Sequence, residues 1–224
     1  MCTSKSIVTS VLILFIICLI MPRTADSGRK RAETWEFYIP LSYADDANFS
    51  GKQGSSIDIN EDFGFGLGFG YNFTDRFQLG GLFNWNSRSY DATVVLDNGS
   101  TQQYSNFMET STISMNGIFY LLEGDITPFV SGSIGYTFID TNIQDGPPTG
   151  VCWWDPWWGY VCTEYVPTRT ESSLSYGAGL GVRFDINEDF SMQCSYNKSW
   201  IDIDNASETL DFDIWRLDFI FRMY

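Results

Sequence analysis

The sequence predicts an all-β chain, an eight-stranded antiparallel up-and-down transmembrane β-barrel. Three observations lead there. From Phe63 to Phe73 the odd positions are large and apolar (Phe63, Phe65, Leu67, Phe69, Tyr71, Phe73), while the even ones are Gly64, Gly66, Gly68, Gly70 and Asn72. A strand sends alternate side chains to opposite faces, so one face is bulky and greasy and the other nearly bare. The bulky face carries no Lys or Glu to meet water, which suits acyl chains outside and small residues inside a closed barrel. The same period of two recurs in eight stretches, and the connections between them alternate short and long.

The first stretch, 35–44, sets Trp35, Phe37, Ile39, Leu41 and Tyr43 outward against Glu36, Tyr38, Pro40, Ser42 and Ala44. The glycine-rich segment is the second. The third opposes Phe77, Leu79, Phe83 and Trp85 to Gln78, Gly80, Asn84 and Asn86. The fourth opposes Ile113, Met115, Phe119 and Leu121 to Thr112, Ser114, Asn116 and Tyr120. The fifth has Val130, Ile134, Tyr136 and Phe138 outward, and the sixth has Leu174, Tyr176, Leu180, Val182 and Phe184 outward, with Arg183 inward. The seventh turns Phe190, Met192, Cys194, Tyr196 and Trp200 outward, and the eighth Trp215, Leu217, Phe219, Phe221 and Met223, with Arg222 inward. Short turns rich in Asn, Asp and Gly fall at 72–76, 123–125 and 185–189, and long loops are expected at 45–62, 89–106, 140–170 and 201–211. This places both ends of the barrel on the short-turn side.

The N-terminus reads as a secretory signal over residues 1–27, which leaves 28–224 as one barrel domain. Lys5 supplies the charge, Ile7 to Met21 the apolar run, and Ala25-Asp26-Ser27 the small-x-small cleavage site. The run is shorter than the roughly 20 residues a spanning helix needs. Export exposes cysteines to oxidants, so Cys152 and Cys162, which flank a short segment, are expected to form a disulfide. Cys194 faces lipid and is expected to stay reduced. The formal charge of −15 disfavours nucleic-acid binding, which needs a basic footprint. A soluble ligand-binding barrel would have an apolar inside and a charged outside, the reverse of the sixth and eighth stretches.

Three segments resemble the outer membrane protein β-barrel domain family, the OmpA-like small barrels with OmpW as a relative: 67–73, 127–136 and 177–185, together with the C-terminal strand. The resemblance implies the outer membrane of a Gram-negative bacterium, with outer-membrane lipid and lipopolysaccharide as surroundings and the barrel assembly machinery as a partner in biogenesis. Such barrels end on an outward aromatic. Here Tyr224 is the terminal aromatic and lies one residue out of phase. Enzymes of this architecture use a histidine, and this chain has none, so no catalytic residue, cofactor or metal is assigned. The family hosts several roles. One reading is a non-enzymatic barrel with binding or structural loops. The other is a narrow, porin-like channel for small or apolar solutes.

Two constellations carry the candidate chemistry. Glu36, Arg183 and Arg222 share the inward face near the short-turn rim, and charges inside so narrow a barrel must pair. Adjacent first and last strands make Arg222 the expected direct partner of Glu36. The trio reads as a structural polar core or as a gate. The second constellation is Trp153, Trp154, Trp157, Trp158 and Tyr160 in the 140–170 loop. These aromatics cap the barrel mouth, lie on the outer leaflet, or bind a surface ligand or protein. Acidic residues such as Asp45, Asp46, Asp58, Glu61 and Asp62 crowd the outer loops. They read as solvated charge, with divalent bridging to lipopolysaccharide as the alternative.

Overall fold

The computed structural model describes residues 30–50, 54–95, 100–202 and 210–223. The expected signal segment, most of the expected 201–211 loop and Tyr224 lie outside the described residues. In chain order the strands are β1 (Thr34–Ala44), β2 (Ala47–Ser50), β3 (Ser56–Ile59), β4 (Asp62–Asn72), β5 (Phe77–Val95), β6 (Thr101–Tyr120), β7 (Ile126–Gln144), β8 (Thr149–Asp155), β9 (Gly159–Tyr165), β10 (Thr168–Asp185), β11 (Phe190–Asp202) and β12 (Leu210–Met223). Eight of them close a ring in the order β5, β4, β1, β12, β11, β10, β7, β6, with β6 returning to β5. Every pairing in the ring is antiparallel. The seam joins β1 to β12 from Trp35↔Met223 to Ala44↔Ile214. Closure leaves the ring without an unpaired edge, which lipid requires of a spanning sheet.

Alternation sets the two faces as the residue pattern demands. Along β4, Phe63, Phe65, Leu67 and Phe69 are exposed while the glycines between them are buried. Aromatic pairs band the outside at two heights. Near the short turns stand Trp35–Tyr71 at 5.0 Å and Phe190–Phe221 at 5.3 Å. Toward the other end stand Tyr43–Phe63 at 5.1 Å, Phe65–Trp85 at 5.3 Å and Tyr196–Trp215 at 5.0 Å. Such girdles belong at the two membrane–water interfaces.

The bare inner face is not empty space. A Cβ on Gly70 would run into the Tyr38 hydroxyl, and one on Gly181 into the Phe129 ring. The glycines seat large side chains that lean across from neighbouring strands, so the lumen fills from one wall onto the other.

Three expected loops are largely strand. β5 and β6 run 19 and 20 residues and stay paired from Phe77↔Phe119 to Val95↔Thr101, across most of the expected 89–106 loop. The 45–62 loop holds β2 and β3, and β3 adds to the outer part of β5 from Ser56↔Thr93 to Ile59↔Tyr90. The 140–170 loop holds the ends of β7 and β10 and a separate hairpin, β8–β9. The outward apolar stripe of β5 stops near Trp85, and with it the hydropathy signal. Backbone pairing continues, helped by Thr, Tyr and Val, which favour strands. Above the girdle, Ile59, Tyr90, Met108, Ile139, Ile201 and Phe212 form an apolar cluster between the extended strands.

Candidate functional site in the lumen and outer hairpin

The short-turn end of the lumen holds a buried ionic cluster. Arg183, fully buried on β10, clasps Glu36 of β1 in a two-pronged contact. Its Nη1 donates to Oε2 at 2.8 Å and its Nη2 to Oε1 at 2.7 Å. The same guanidinium donates through Nε to Asp185 at 2.8 Å and through Nη1 to the Tyr120 hydroxyl at 2.9 Å. Gln78 donates to Glu36 at 2.7 Å, and Ser191 donates to Asp185 at 2.5 Å. Arg31 enters from below. Its side chain donates to Asp185 at 2.8 and 2.9 Å, to Thr127 Oγ1 at 2.8 Å and to the Gly124 carbonyl at 2.6 Å. Each charge thus meets an opposite charge and further hydrogen-bond partners, as a low-dielectric interior demands.

Arg222 takes a lesser place than its strand position implied. It sits directly opposite Glu36 in register, yet its Nε lies 3.5 Å from Glu36, and its Nη1 donates to the Glu188 carbonyl at 3.0 Å. Strands lie about 4.8 Å apart, less than the reach of an arginine, so a directly opposed arginine overshoots its partner. Arg183 reaches Glu36 across the lumen instead and meets it end-on.

Above this layer Arg216 pairs with Asp218 at 2.8 Å, beside a void of about 20 Å³ bordered by Tyr38 and Gln193. Higher still is a polar chamber of about 120 Å³, walled by Asn84, Thr112, Asn116, Ser133, Ser175 and Asn197 among others. Arg88, Met108 and Phe212 line it toward the outer apolar cluster.

On the outside, β8 and β9 form their own two-stranded sheet, with Cys152 disulfide-bonded to Cys162 at directly paired positions. Asp155 Oδ1 accepts the backbone N–H groups of Trp157 at 2.8 Å and Trp158 at 2.9 Å, which fixes the apex turn. Trp157 and Trp158 are 84% and 81% exposed, and Trp153, Trp154 and Tyr160 are also exposed. The aromatics therefore stand exposed on a hairpin separate from the ring, and the buried apolar cluster lies on the outer side of the chamber. At the outer rim, carboxylate oxygens of Asp45, Asp46 and Glu61 lie within 4.8 Å of one another, and Tyr43 donates to Glu61 at 2.6 Å. Burial first, then Asp46, Asp213 and Glu61, holds the Asp45 carboxyl above the ordinary aspartate range. Cys194 is free and exposed on the outer face of β11.

The family model of the outer membrane protein beta-barrel domain matches residues 11–222. The chain belongs to that family. It is a β-barrel of the Gram-negative outer membrane, the setting its girdles and closed ring require. Among solved structures it is similar to the outer membrane protein OprG from Pseudomonas aeruginosa, at 14% identity and a TM-score of 0.51, covering 88% of this chain and 99% of that one. It is also similar to the N-terminal barrel domain of Pseudomonas aeruginosa OprF, at 12% identity and a TM-score of 0.50, covering 87% and 100%. No curated protein matches.

In this outer membrane barrel, sequence alternation missed two members of the ionic cluster. Asp185 shares the inward phase of Arg183 but reads as the start of a turn; carrying the period one step further finds it. Arg31 lies on the odd, outward phase of β1. Glu33, with φ of 64°, breaks the alternation and turns Arg31 into the lumen. Nothing in the sequence marks that residue.

Proposed function

We propose that this protein is a non-enzymatic outer-membrane barrel with a closed lumen, which works through the structures it presents outside the cell. One observation carries the reading: Glu36, Arg183, Arg31 and Asp185 interlock, fully buried, across the short-turn end of the lumen, with Tyr120, Phe129 and Gln78 filling the remaining section. The extended β5–β6 and β7–β10 strands and the disulfide-held tryptophan hairpin then form the working surface, for a surface ligand or a protein. The chain has no histidine to serve as a base at neutral pH, in keeping with a non-enzymatic role. The barrel assembly machinery is its proposed partner during insertion, and lipopolysaccharide its neighbour afterwards.

The polar chamber supports the alternative, a narrow channel, but that reading requires the ionic cluster to open. Liposome swelling separates the two. Vesicles holding the refolded protein should not swell in isosmotic glycine or arabinose, whereas swelling at a rate set by solute size would favour the channel.

A further inference from the structure

The luminal cations form a pattern with one exception. Arg31 pairs with Asp185 at 2.8 Å, Arg183 with Glu36 at 2.7 Å, Arg216 with Asp218 at 2.8 Å and Arg222 with Glu36 at 3.5 Å. Arg88 of β5 is only 6% exposed, yet among the described residues it has no carboxylate within ion-pairing distance, and its Nη1 is enclosed without a hydrogen-bond partner. Its neighbours compensate it in part. Nε donates to Asn86 Oδ1 at 2.7 Å, and the guanidinium carbon lies 4.6 Å from the centre of the Phe212 ring. Asp62 is the acid whose field it feels, from beyond pairing distance.

A buried guanidinium left short of counter-charge is costly, and proteins keep such groups where an anion completes them. Arg88 borders the polar chamber of about 120 Å³, whose polar lining is mostly neutral hydroxyls and amides such as Thr112, Ser133, Ser175, Asn84 and Asn197, with Arg216 and Lys198 as further cations and no carboxylate. These groups donate to oxygen without adding a competing negative charge. Arg216, paired with Asp218, borders the chamber below, and Phe212 and Met108 line its outer side.

We propose that the outer half of the lumen is a binding chamber for one small oxyanion, a phosphate or carboxylate group, whose charge is met by Arg88. The ligand is small because the chamber holds only about 120 Å³. It arrives from the outside, since the ionic cluster bars the other end.

Inorganic phosphate serves as the probe. The protein, refolded in detergent free of lipopolysaccharide, is titrated by calorimetry at fixed ionic strength. The expected result is saturable binding at one site, weakened at least tenfold in Arg88→Gln and unchanged in Arg76→Gln, which alters an exposed turn cation. Ser133→Leu fills the chamber from β7, beyond β6 in the ring, without touching Arg88. It should weaken binding to the same degree, so the test stands even if Arg88→Gln fails to fold. Absence of saturable binding by the parent protein overturns the proposal. So does full affinity in a folded Arg88→Gln, or an equal loss in Arg76→Gln, which would make the binding a surface-charge effect.

Discussion

Single residues decide how the short-turn end of the lumen is packed. Glu36 is the hub of the ionic cluster, held by Arg183, Arg222 and Gln78. Glu36→Gln leaves two guanidinium groups buried with less compensation. It should lower stability in urea by about 3–5 kcal/mol, the usual cost of removing one partner from a buried pair. Arg222→Gln should cost less, under about 2 kcal/mol, because its contact to Glu36 is long and part of its bonding goes to a backbone carbonyl. Equal losses in the two variants would mean that the cluster has no hub. At the opposite rim, Asp45 binds its proton more tightly in the folded protein than an ordinary aspartate does. Its protonation therefore favours folding in acid, and that contribution is lost as pH rises through the raised value. Asp45→Asn should be more stable than the parent at neutral pH, by under about 1 kcal/mol because the rim is solvent-screened, and the difference should vanish on acidification. Urea midpoints at two pH values check the sign.

Elements show where sequence reading succeeds and where it stops. The eight ring strands were legible because lipid outside and a filled lumen inside force strict alternation on residues such as Phe63 to Tyr71. Above the girdle the outward face of β5 meets water instead of lipid, so outward positions such as Ser87, Ser89 and Asp91 lose their apolar signal while Arg88 and Tyr90 stay buried inside, and the strands read as loop. The β8–β9 hairpin was legible only through its cysteines. Because it forms a sheet apart from the ring, its disulfide stabilises the hairpin and not the barrel. Closing so short a loop is worth about 2–3 kcal/mol on chain-entropy grounds. Cys152→Ser with Cys162→Ser should leave the barrel's unfolding midpoint unchanged while the near-ultraviolet signal of the tryptophans collapses. A matching drop in the barrel midpoint would show that the hairpin braces the ring. The ionic cluster was half legible: Glu36, Arg183 and Arg222 stand in phase with their strands, whereas Arg31 depends on a backbone turn at Glu33 that no residue pattern announces.

The whole molecule is a closed wall whose bore is packed with side chains at the short-turn end. The outward band must face acyl chains, so Leu217→Arg, beside Leu41 and Cys194 in mid-wall, should cost roughly 2–4 kcal/mol if that height is near the bilayer midplane. Comparing unfolding free energies of parent and variant in lipid vesicles checks this. The packed bore is the central claim, since glycine seats, the Glu36–Arg183 clasp and the outer apolar cluster all converge on it. Single-channel recording in a planar lipid bilayer tests it most directly. The parent protein should insert without discrete current steps, and Glu36→Gln should show small openings as the clasp is released. Regular, long-lived conductance steps from the parent, unchanged in Glu36→Gln, would contradict a lumen closed by that cluster.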